Sequence, residues 1–159
     1  MQDSEEFALR RAVIETAREL NRRGINVNKS GNISARFREG FLITPTGIPY
    51  EALIPEDIVF IDLKSGGCRG NRLPSSEWKM HAEVYRIRSD AGAVAHCHSA
   101  YATALACQNM PIPAFHYMVA AAGGDSIDVV LYETFGTHAL ALRAAEALQK
   151  KNACLLEHH

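Results

Sequence analysis

The sequence lacks the glycine loops that bind nucleotides, and it lacks long apolar runs. It has no G-x-x-x-x-G-K-[ST] loop and no G-x-G-x-x-G turn, which disfavours nucleotide hydrolysis and dinucleotide redox chemistry. No apolar run approaches the roughly 20 residues of a membrane-spanning helix. The start, Met1 to Glu6, is acidic where a signal peptide would be basic. We therefore expect no membrane association.

The sequence also has almost no excess of either positive or negative charge. Seventeen Lys and Arg residues face 18 Asp and Glu residues, for a formal net charge of -1, so a nucleic-acid partner has no support. Any anionic substrate must be held by local groups. The four cysteines form no C-x-x-C pair and predict no disulfide framework, which favours a reducing cytoplasm; they are Cys68, Cys97, Cys107 and Cys154.

The chain has 159 residues, 47% of them apolar, which suits one domain with a sizeable core. Helical periodicity, β-rich runs and turn residues predict a helix followed by an antiparallel meander in the front half. The predicted helices cover 5–22, 74–88, 99–107 and 137–151. The predicted strands cover 33–37, 41–44, 58–62, 91–98, 126–131 and 153–156.

Two histidines, His96 and His98, are the first pointer to metal chemistry. They lie two positions apart on a predicted strand, so both imidazoles leave the same face and can converge on one ion. A bare H-x-H pair is weak evidence, because surface histidines with this spacing are common. A metal site therefore needs further donors.

Further donors are present at Glu77 and in the terminal pair His158-His159. Neighbouring strand residues face opposite sides, so at most one histidine of this pair would join the site. Three imidazoles and a carboxylate make a shell of the kind that binds zinc, and the carboxylate can also act as a base. Two alternatives stay open: Glu77 also suits a helix N-terminus, and Glu157-His158-His159 also matches the start of a vector-encoded polyhistidine tag.

Polar turn residues supply a second constellation. Hydroxyls and backbone amides in loops and at a helix start are the groups that cradle phosphate, although each one alone is more often an ordinary cap or turn. The candidates are Ser30, Gly31, Asn32, Thr46, Gly47, Ser75 and Ser76. A phosphate bound there would be attached to a small molecule.

Two aromatic residues have either a structural or a functional interpretation. Tyr117 stands in the run Phe115-His116-Tyr117-Met118, where it could donate a proton or fill the core. Phe135 precedes Gly136-Thr137, which most simply ends a loop and caps the next helix. On local sequence alone both residues are more simply structural.

The motifs gain weight from their order along the whole chain. They run Ser30-Gly31-Asn32-Ile33-Ser34, Leu42 to Tyr50, Pro74-Ser75-Ser76-Glu77-Trp78, His96-Cys97-His98, His116-Tyr117-Met118, Ala120 to Gly124, Phe135-Gly136-Thr137 and Leu155 to His159. In this order they resemble the class II aldolase and adducin family, and in particular its L-fuculose-phosphate aldolase branch. Several independent motifs in one order are more specific than any single pair.

The resemblance implies an α/β fold of one domain, with a central, mainly antiparallel sheet flanked by helices. It implies a homotetramer with active sites between subunits. The whole chain, 1–159, would form this domain, without the C-terminal helical segment with which relatives continue. The loop residues Asn28-Lys29 depart from the family pattern, in which smaller residues precede Ser30.

The resemblance also implies roles for the candidate residues. His96, His98 and His159 would hold Zn²⁺ or another divalent ion, with Glu77 as fourth ligand and catalytic acid/base. The polar loop residues would bind the phosphate of a small phosphorylated sugar. Tyr117 and Phe135 would come from the adjacent subunit, the tyrosine as proton donor.

The reaction implied is cleavage of a ketose 1-phosphate, such as L-fuculose 1-phosphate, to dihydroxyacetone phosphate and an aldehyde. Two enzymatic alternatives share the metal triad, a sugar-phosphate 4-epimerase and a thioribulose-phosphate dehydratase. A third alternative is an adducin-like interaction module, which would keep the fold without the metal site. Retention of Glu77, His96, His98 and His159 favours an enzyme.

Overall fold

The computed structural model describes residues 4–159, so the first three residues of the acidic start lie outside it. The described part contains four α-helices and seven strands. The helices are α1 Ser4–Arg22, α2 Trp78–Ile87, α3 Ala100–Ala106 and α4 His138–Ala147. The strands are β1 Asn32–Phe37, β2 Gly40–Ile43, β3 Val59–Asp62, β4 Cys68–Arg69, β5 Ala93–His96, β6 Val129–Val130 and β7 Leu155–Leu156.

Five strands form an antiparallel sheet in the order β4-β3-β2-β1-β5. The reversal between β1 and β2 is tight because Arg38 adopts a left-handed conformation, with φ of 50°. On the other side of β1, Asn32 pairs with His96. This pairing brings the polar loop before β1 next to the histidine at the end of β5.

The sheet has a core on each face. On one face, Val13, Ile14 and Ala17 of α1 pack with alternate residues of β1, including Ile33 and Ala35. On the other face, apolar residues of β2 and β3 pack against Ala82 and Tyr85 of α2. Burial on both faces follows from the two-residue period of the strands. The predicted α/β fold with a flanked antiparallel sheet is confirmed.

Helix α2 begins at Trp78 rather than at residue 74. Pro74 forms a β-bridge with Pro45, and the Ser75 amide donates to the Thr44 carbonyl at 3.1 Å. These pairings keep the segment before Glu77 extended. Helix α4 ends at Ala147, four residues before the predicted end, and beyond it Lys151 forms an ion pair with Asp128 at 2.6 Å.

The strands near the histidines are also shorter than predicted. Strand β5 ends at His96, so His98 lies beyond it, and β6 and β7 are reduced to two residues each. β6 and β7 pair in parallel, with Val130 beside Leu156. Among residues 4–159, no helix has both the length and the apolar character needed to cross a bilayer.

Candidate metal centre and substrate cleft

Four side chains meet at one end of the sheet, although they come from distant parts of the chain. Glu77 stands at the residue before α2, His96 is the last residue of β5 and His98 follows two positions later. His159 lies three residues past the end of β7. The parallel pairing of β7 with β6 therefore positions His159 beside His96 and His98.

The three imidazoles converge through the same ring atom. His96 Nε2 lies 3.0 Å from His98 Nε2 and 3.2 Å from His159 Nε2. Zinc–nitrogen bonds of about 2.0–2.1 Å in a tetrahedral shell would place neighbouring nitrogens about 3.3 Å apart. The histidines thus form a group that could hold a metal ion.

The carboxylate of Glu77 completes the cluster. Its Oε2 lies 3.2 Å from His96 Nε2, and its Oε1 lies 3.1 Å from His159 Nε2. Asn32 Nδ2 donates to Oε2 at 3.1 Å, whereas the buried Oε1 has no hydrogen-bond partner. A buried carboxylate oxygen without a donor is costly. A divalent cation between this oxygen and the imidazoles would satisfy it, so the donor set fits a metal ion.

The electrostatics of the cluster favour ligand forms of these groups. Burial lowers the pKa of His96 to about 4, against the opposing charge of Glu77. Burial also lowers the pKa of His98. For Glu77, burial acts to raise the pKa, but the close approach of His159 and the interactions with His96 and Asn32 outweigh it and lower the pKa to about 2. Neutral imidazoles and an ionised carboxylate are the forms that bind metals.

The second histidine of the terminal pair occupies a different environment. His158 adopts a positive φ of 51°, and its side chain is 58% exposed. Because the chain turns at His158, the His158 side chain lines the cleft, whereas the His159 side chain lies in the histidine cluster. A place in a buried cluster favours the ligand interpretation of His159 over that of a polyhistidine tag.

A cleft of about 380 Å³ opens beside the histidines. All seven predicted phosphate-binding residues line it, together with Glu77, His98 and His159; the seven are Ser30, Gly31, Asn32, Thr46, Gly47, Ser75 and Ser76. Gly31 and Gly47 adopt φ values of 80° and 77°. Glycine reaches this left-handed region readily because it has no Cβ, and these two residues bend the loops. The cleft therefore combines hydroxyls and amides with an adjacent candidate metal centre.

Asn32 is more deeply engaged than the sequence indicates. It is 4% exposed, its Nδ2 donates to Glu77, and its Oδ1 contacts His81 Nε2. The amide therefore connects the Glu77 carboxylate to the buried His81 ring.

The two predicted aromatic residues lie in different places. Phe135 is 65% exposed and lines the cleft of its own chain, whereas the resemblance assigns it to a neighbouring subunit. Tyr117 is 80% exposed and is not among the residues that line this cleft. Within the described residues, Tyr117 is thus the one predicted site residue that the fold leaves apart.

Sequence reasoning named Lys29, which lines the cleft, only as a departure from the family pattern, and it missed several other residues of the site. Tyr132 lines the cleft, and Asn26 Oδ1 accepts from the His98 amide at 2.9 Å. His81 is completely buried beside Asn32. The one available signal was the spacing of Glu77 and His81, which four positions apart on a helix share a face.

These features define an α/β protein with a candidate metal centre beside a polar cleft. The family model of the class II aldolase and adducin N-terminal domain matches residues 11–159, and the chain belongs to this family. It is 50% identical to an L-fuculose phosphate aldolase from Escherichia coli over 151 residues, which cover 95% of this chain and 70% of that protein.

Other relatives carry a different substrate in their names. A 5-methylthioribulose-1-phosphate/5-deoxyribulose-1-phosphate aldolase from Rhodospirillum rubrum is 49% identical over 153 residues, 96% of this chain and 69% of that protein. Among solved structures, an L-fuculose 1-phosphate aldolase superposes with a TM-score of 0.92 at 39% identity, covering 100% of this chain and 74% of that one. The names of these relatives thus agree on an aldolase and differ in the sugar.

Proposed function

We propose that this protein is a zinc-dependent aldolase that cleaves a ketose 1-phosphate to dihydroxyacetone phosphate and an aldehyde. The observation that carries the proposal is the convergence of His96, His98 and His159 on the Glu77 carboxylate, at the edge of a polar cleft of about 380 Å³. An interaction module has no need of this cluster. Another divalent ion could take the place of zinc in the same donor set.

His96, His98 and His159 would hold the ion, and Glu77 would be its fourth ligand in the absence of substrate. The bound ion would supply Lewis-acid polarisation of the substrate's carbonyl and hydroxyl oxygens. The hydroxyls and amides of the two glycine loops and of Ser75-Ser76 would hold the phosphate and fix the sugar beside Glu77.

Glu77 moves the proton at carbon. In the synthetic direction, its carboxylate takes a proton from the carbon next to the carbonyl of dihydroxyacetone phosphate. Tyr117 of a neighbouring subunit donates a proton to the aldehyde oxygen as the new carbon–carbon bond forms. Cleavage is the same sequence reversed, and no lysine Schiff base is required.

The substrate proposal is L-fuculose 1-phosphate, with 5-deoxyribulose and 5-methylthioribulose 1-phosphates as competing sugars from the names of relatives. All three combine a phosphate on one end with a methyl or methylthio group on the other. Tyr132 and Phe135 form an aromatic edge to the cleft, which would pack against that apolar end.

Assembly as a homotetramer is part of the proposal. Tyr117 lies outside the cleft of its own chain, and the adjacent Phe115 and Met118 are 76% and 57% exposed. Exposed apolar side chains grouped in this way favour an interface. We place the reaction in the cytoplasm, because the four cysteines are free thiols.

The decisive experiment is a panel of ketose 1-phosphates and 5-phosphates assayed for dihydroxyacetone phosphate, with the protein loaded with zinc. We expect turnover of a ketose 1-phosphate and loss of it on chelation. Absence of product from every 1-phosphate would refute the aldolase proposal.

Site variants locate the activity. We expect His96→Ala to lose bound zinc and all cleavage, because a ligand nitrogen is removed. Glu77→Gln should keep the fold and lose cleavage, because an amide cannot take up the proton. His138→Ala is the matched control, since this histidine is exposed and belongs neither to the cluster nor to the cleft lining, with its Nδ1 3.8 Å from Glu83. Full activity in either site variant would contradict the assignment.

A further inference from the structure

A line of buried polar side chains runs from the candidate metal centre into the protein interior, between β1 and α2. Glu77, at the residue before α2, is followed at intervals of four by His81 and Tyr85 on the helix. Asn32 and Ser34 lie two apart on β1. Four helical residues span about 6 Å and two strand residues span about 6.6 Å. The two rows therefore interleave with nearly the same repeat.

Each member of the line contacts the next. Asn32 lies between Glu77 and His81, as described above. On the other side of the ring, His81 Nδ1 lies 2.7 Å from Ser34 Oγ, which lies 2.8 Å from the Tyr85 hydroxyl. Ser34 and His81 are 0% exposed and Tyr85 is 2% exposed, so bulk water does not compete for these contacts.

The chemistry of the groups fixes the direction of every bond. An ionised Glu77 only accepts, so Asn32 presents its NH₂ to it and its carbonyl oxygen to His81. His81 must then donate from Nε2–H and accept at Nδ1. Ser34 uses its one hydroxyl proton for His81 and accepts the proton of Tyr85. Every donor in the line points towards Glu77.

We propose that His81 is a positioning residue for the catalytic carboxylate, acting as a neutral Nε2–H tautomer that fixes the orientation of the Asn32 amide. The proposal deepens the proposed function, because it concerns the same carboxylate. With the amide fixed, Asn32 donates to Oε2 of Glu77 and leaves Oε1, which has no hydrogen-bond partner, directed at His159. If the amide rotated by half a turn, its oxygen would face the carboxylate and repel it.

The surroundings of His81 support a neutral ring. Burial lowers its pKa to about 3, with a further lowering by His96 that outweighs the opposing effect of Glu77. The ring therefore does not exchange protons with substrate near neutral pH. Its contribution is the choice of tautomer, which second-shell partners of metal sites commonly determine.

The tautomer can be measured directly in the unsubstituted protein. Long-range ¹H–¹⁵N NMR of histidine-labelled protein, metal-free and zinc-loaded, should show His81 protonated at Nε2 alone from pH 6 to 8. A ring protonated at Nδ1, or at both nitrogens, would overturn the proposal. This measurement needs no activity, so it stands even if the aldolase proposal fails.

Two variants separate positioning from packing. The amide nitrogen of His81→Gln can reach the place of Nε2, whereas the side chain of His81→Asn reaches only the place of Nδ1. We expect His81→Asn to lower kcat about tenfold to a hundredfold, with KM changed less than twofold, and His81→Gln to restore kcat to within about threefold of the starting protein. Thermal unfolding of both variants monitors packing.

The result that would overturn the proposal is equal kcat in the two variants, whether both are active or both impaired. If neither variant folds, the NMR measurement decides. If the starting protein cleaves no ketose 1-phosphate, the proposed function fails, and the tautomer still tests the positioning of Glu77.

Discussion

Lys29 places an amine at the edge of a cleft that otherwise offers hydroxyls and amides to a phosphate. Its Nζ donates to the Gly47 carbonyl at 3.3 Å, so the side chain connects the two glycine loops. The amine is exposed, and solvent screens its attraction for an anion. Lys29 thus suits an adjustment of affinity rather than a role in the chemical step.

We expect Lys29→Gln to raise KM for a ketose 1-phosphate about fivefold, equivalent to about 1 kcal/mol of an exposed charge pair. The value of kcat should not change, because the amine does not contact the reacting carbons. Steady-state kinetics at low and high salt would measure this, with the exposed Lys64→Gln as control. An unchanged KM at low salt would remove Lys29 from substrate binding.

The residues that could be predicted are those whose chemistry shows in local spacing or motif order. Glu77, His96 and His98 are residue types that bind metals, and the two histidines have the two-residue spacing of a shared strand face. The structure brings the three side chains together. His81 offered only its four-residue spacing from Glu77, and nothing local indicated its pairing with Ser34. Their pairing depends on how α2 lies across β1, a tertiary property that neither segment encodes alone.

At the scale of secondary structure, the loop before β1 combines a left-handed backbone with a close approach to neighbouring atoms. Gly31 adopts a φ of 80°, and a Cβ added there would lie 2.5 Å from both Asn26 Nδ2 and the His96 carbonyl oxygen. Gly24 also has a positive φ, 68°, but a Cβ there would meet nothing within 4 Å. Substitutions at the two glycines therefore distinguish the effect of backbone strain, which both positions share, from the effect of close neighbouring atoms, which only Gly31 has.

We expect Gly24→Ala to lower the free energy of unfolding by about 1 kcal/mol, from the left-handed conformation alone. Gly31→Ala should lower it by a further ~1–3 kcal/mol from overpacking, and should weaken zinc binding because the clash displaces the end of β5. Chemical denaturation and zinc titration would measure the two effects. Equal destabilisation with equal zinc affinity would show that the close approach is unimportant.

Element boundaries show where sequence patterns lose information. Periodicity and turn residues predicted α1 and the β1-β2-β3 meander within a residue or so, because their cores depend on local repeats. The predicted strand 91–98 included His98, yet β5 ends at His96. The rings still converge because Asn26 holds the His98 amide at 2.9 Å, a contact from outside the strand.

At the scale of the whole molecule, the proposed site requires a residue, Tyr117, that does not line the cleft of its own chain. Glu77 and the histidines gather at one end of the sheet, whereas Tyr117 stands 80% exposed in a separate helical turn, Tyr117–Ala122. If Tyr117 is the proton donor to the aldehyde oxygen, it must reach the cleft of another copy. Symmetric assembly would supply one such tyrosine to every site.

Subunit mixing tests this arrangement. We expect His96→Ala and Tyr117→Phe each to be inactive alone, because one lacks a metal ligand and the other lacks the proton donor. After the two are unfolded and refolded together, some sites will combine an intact metal cluster with an intact tyrosine from the neighbour, so activity should return. Refolding His96→Ala with His98→Ala is the control, since both defects fall in the same cluster and no mixed site is whole. If the first mixture stays inactive although light scattering shows mixed oligomers, Tyr117 does not act across a subunit boundary.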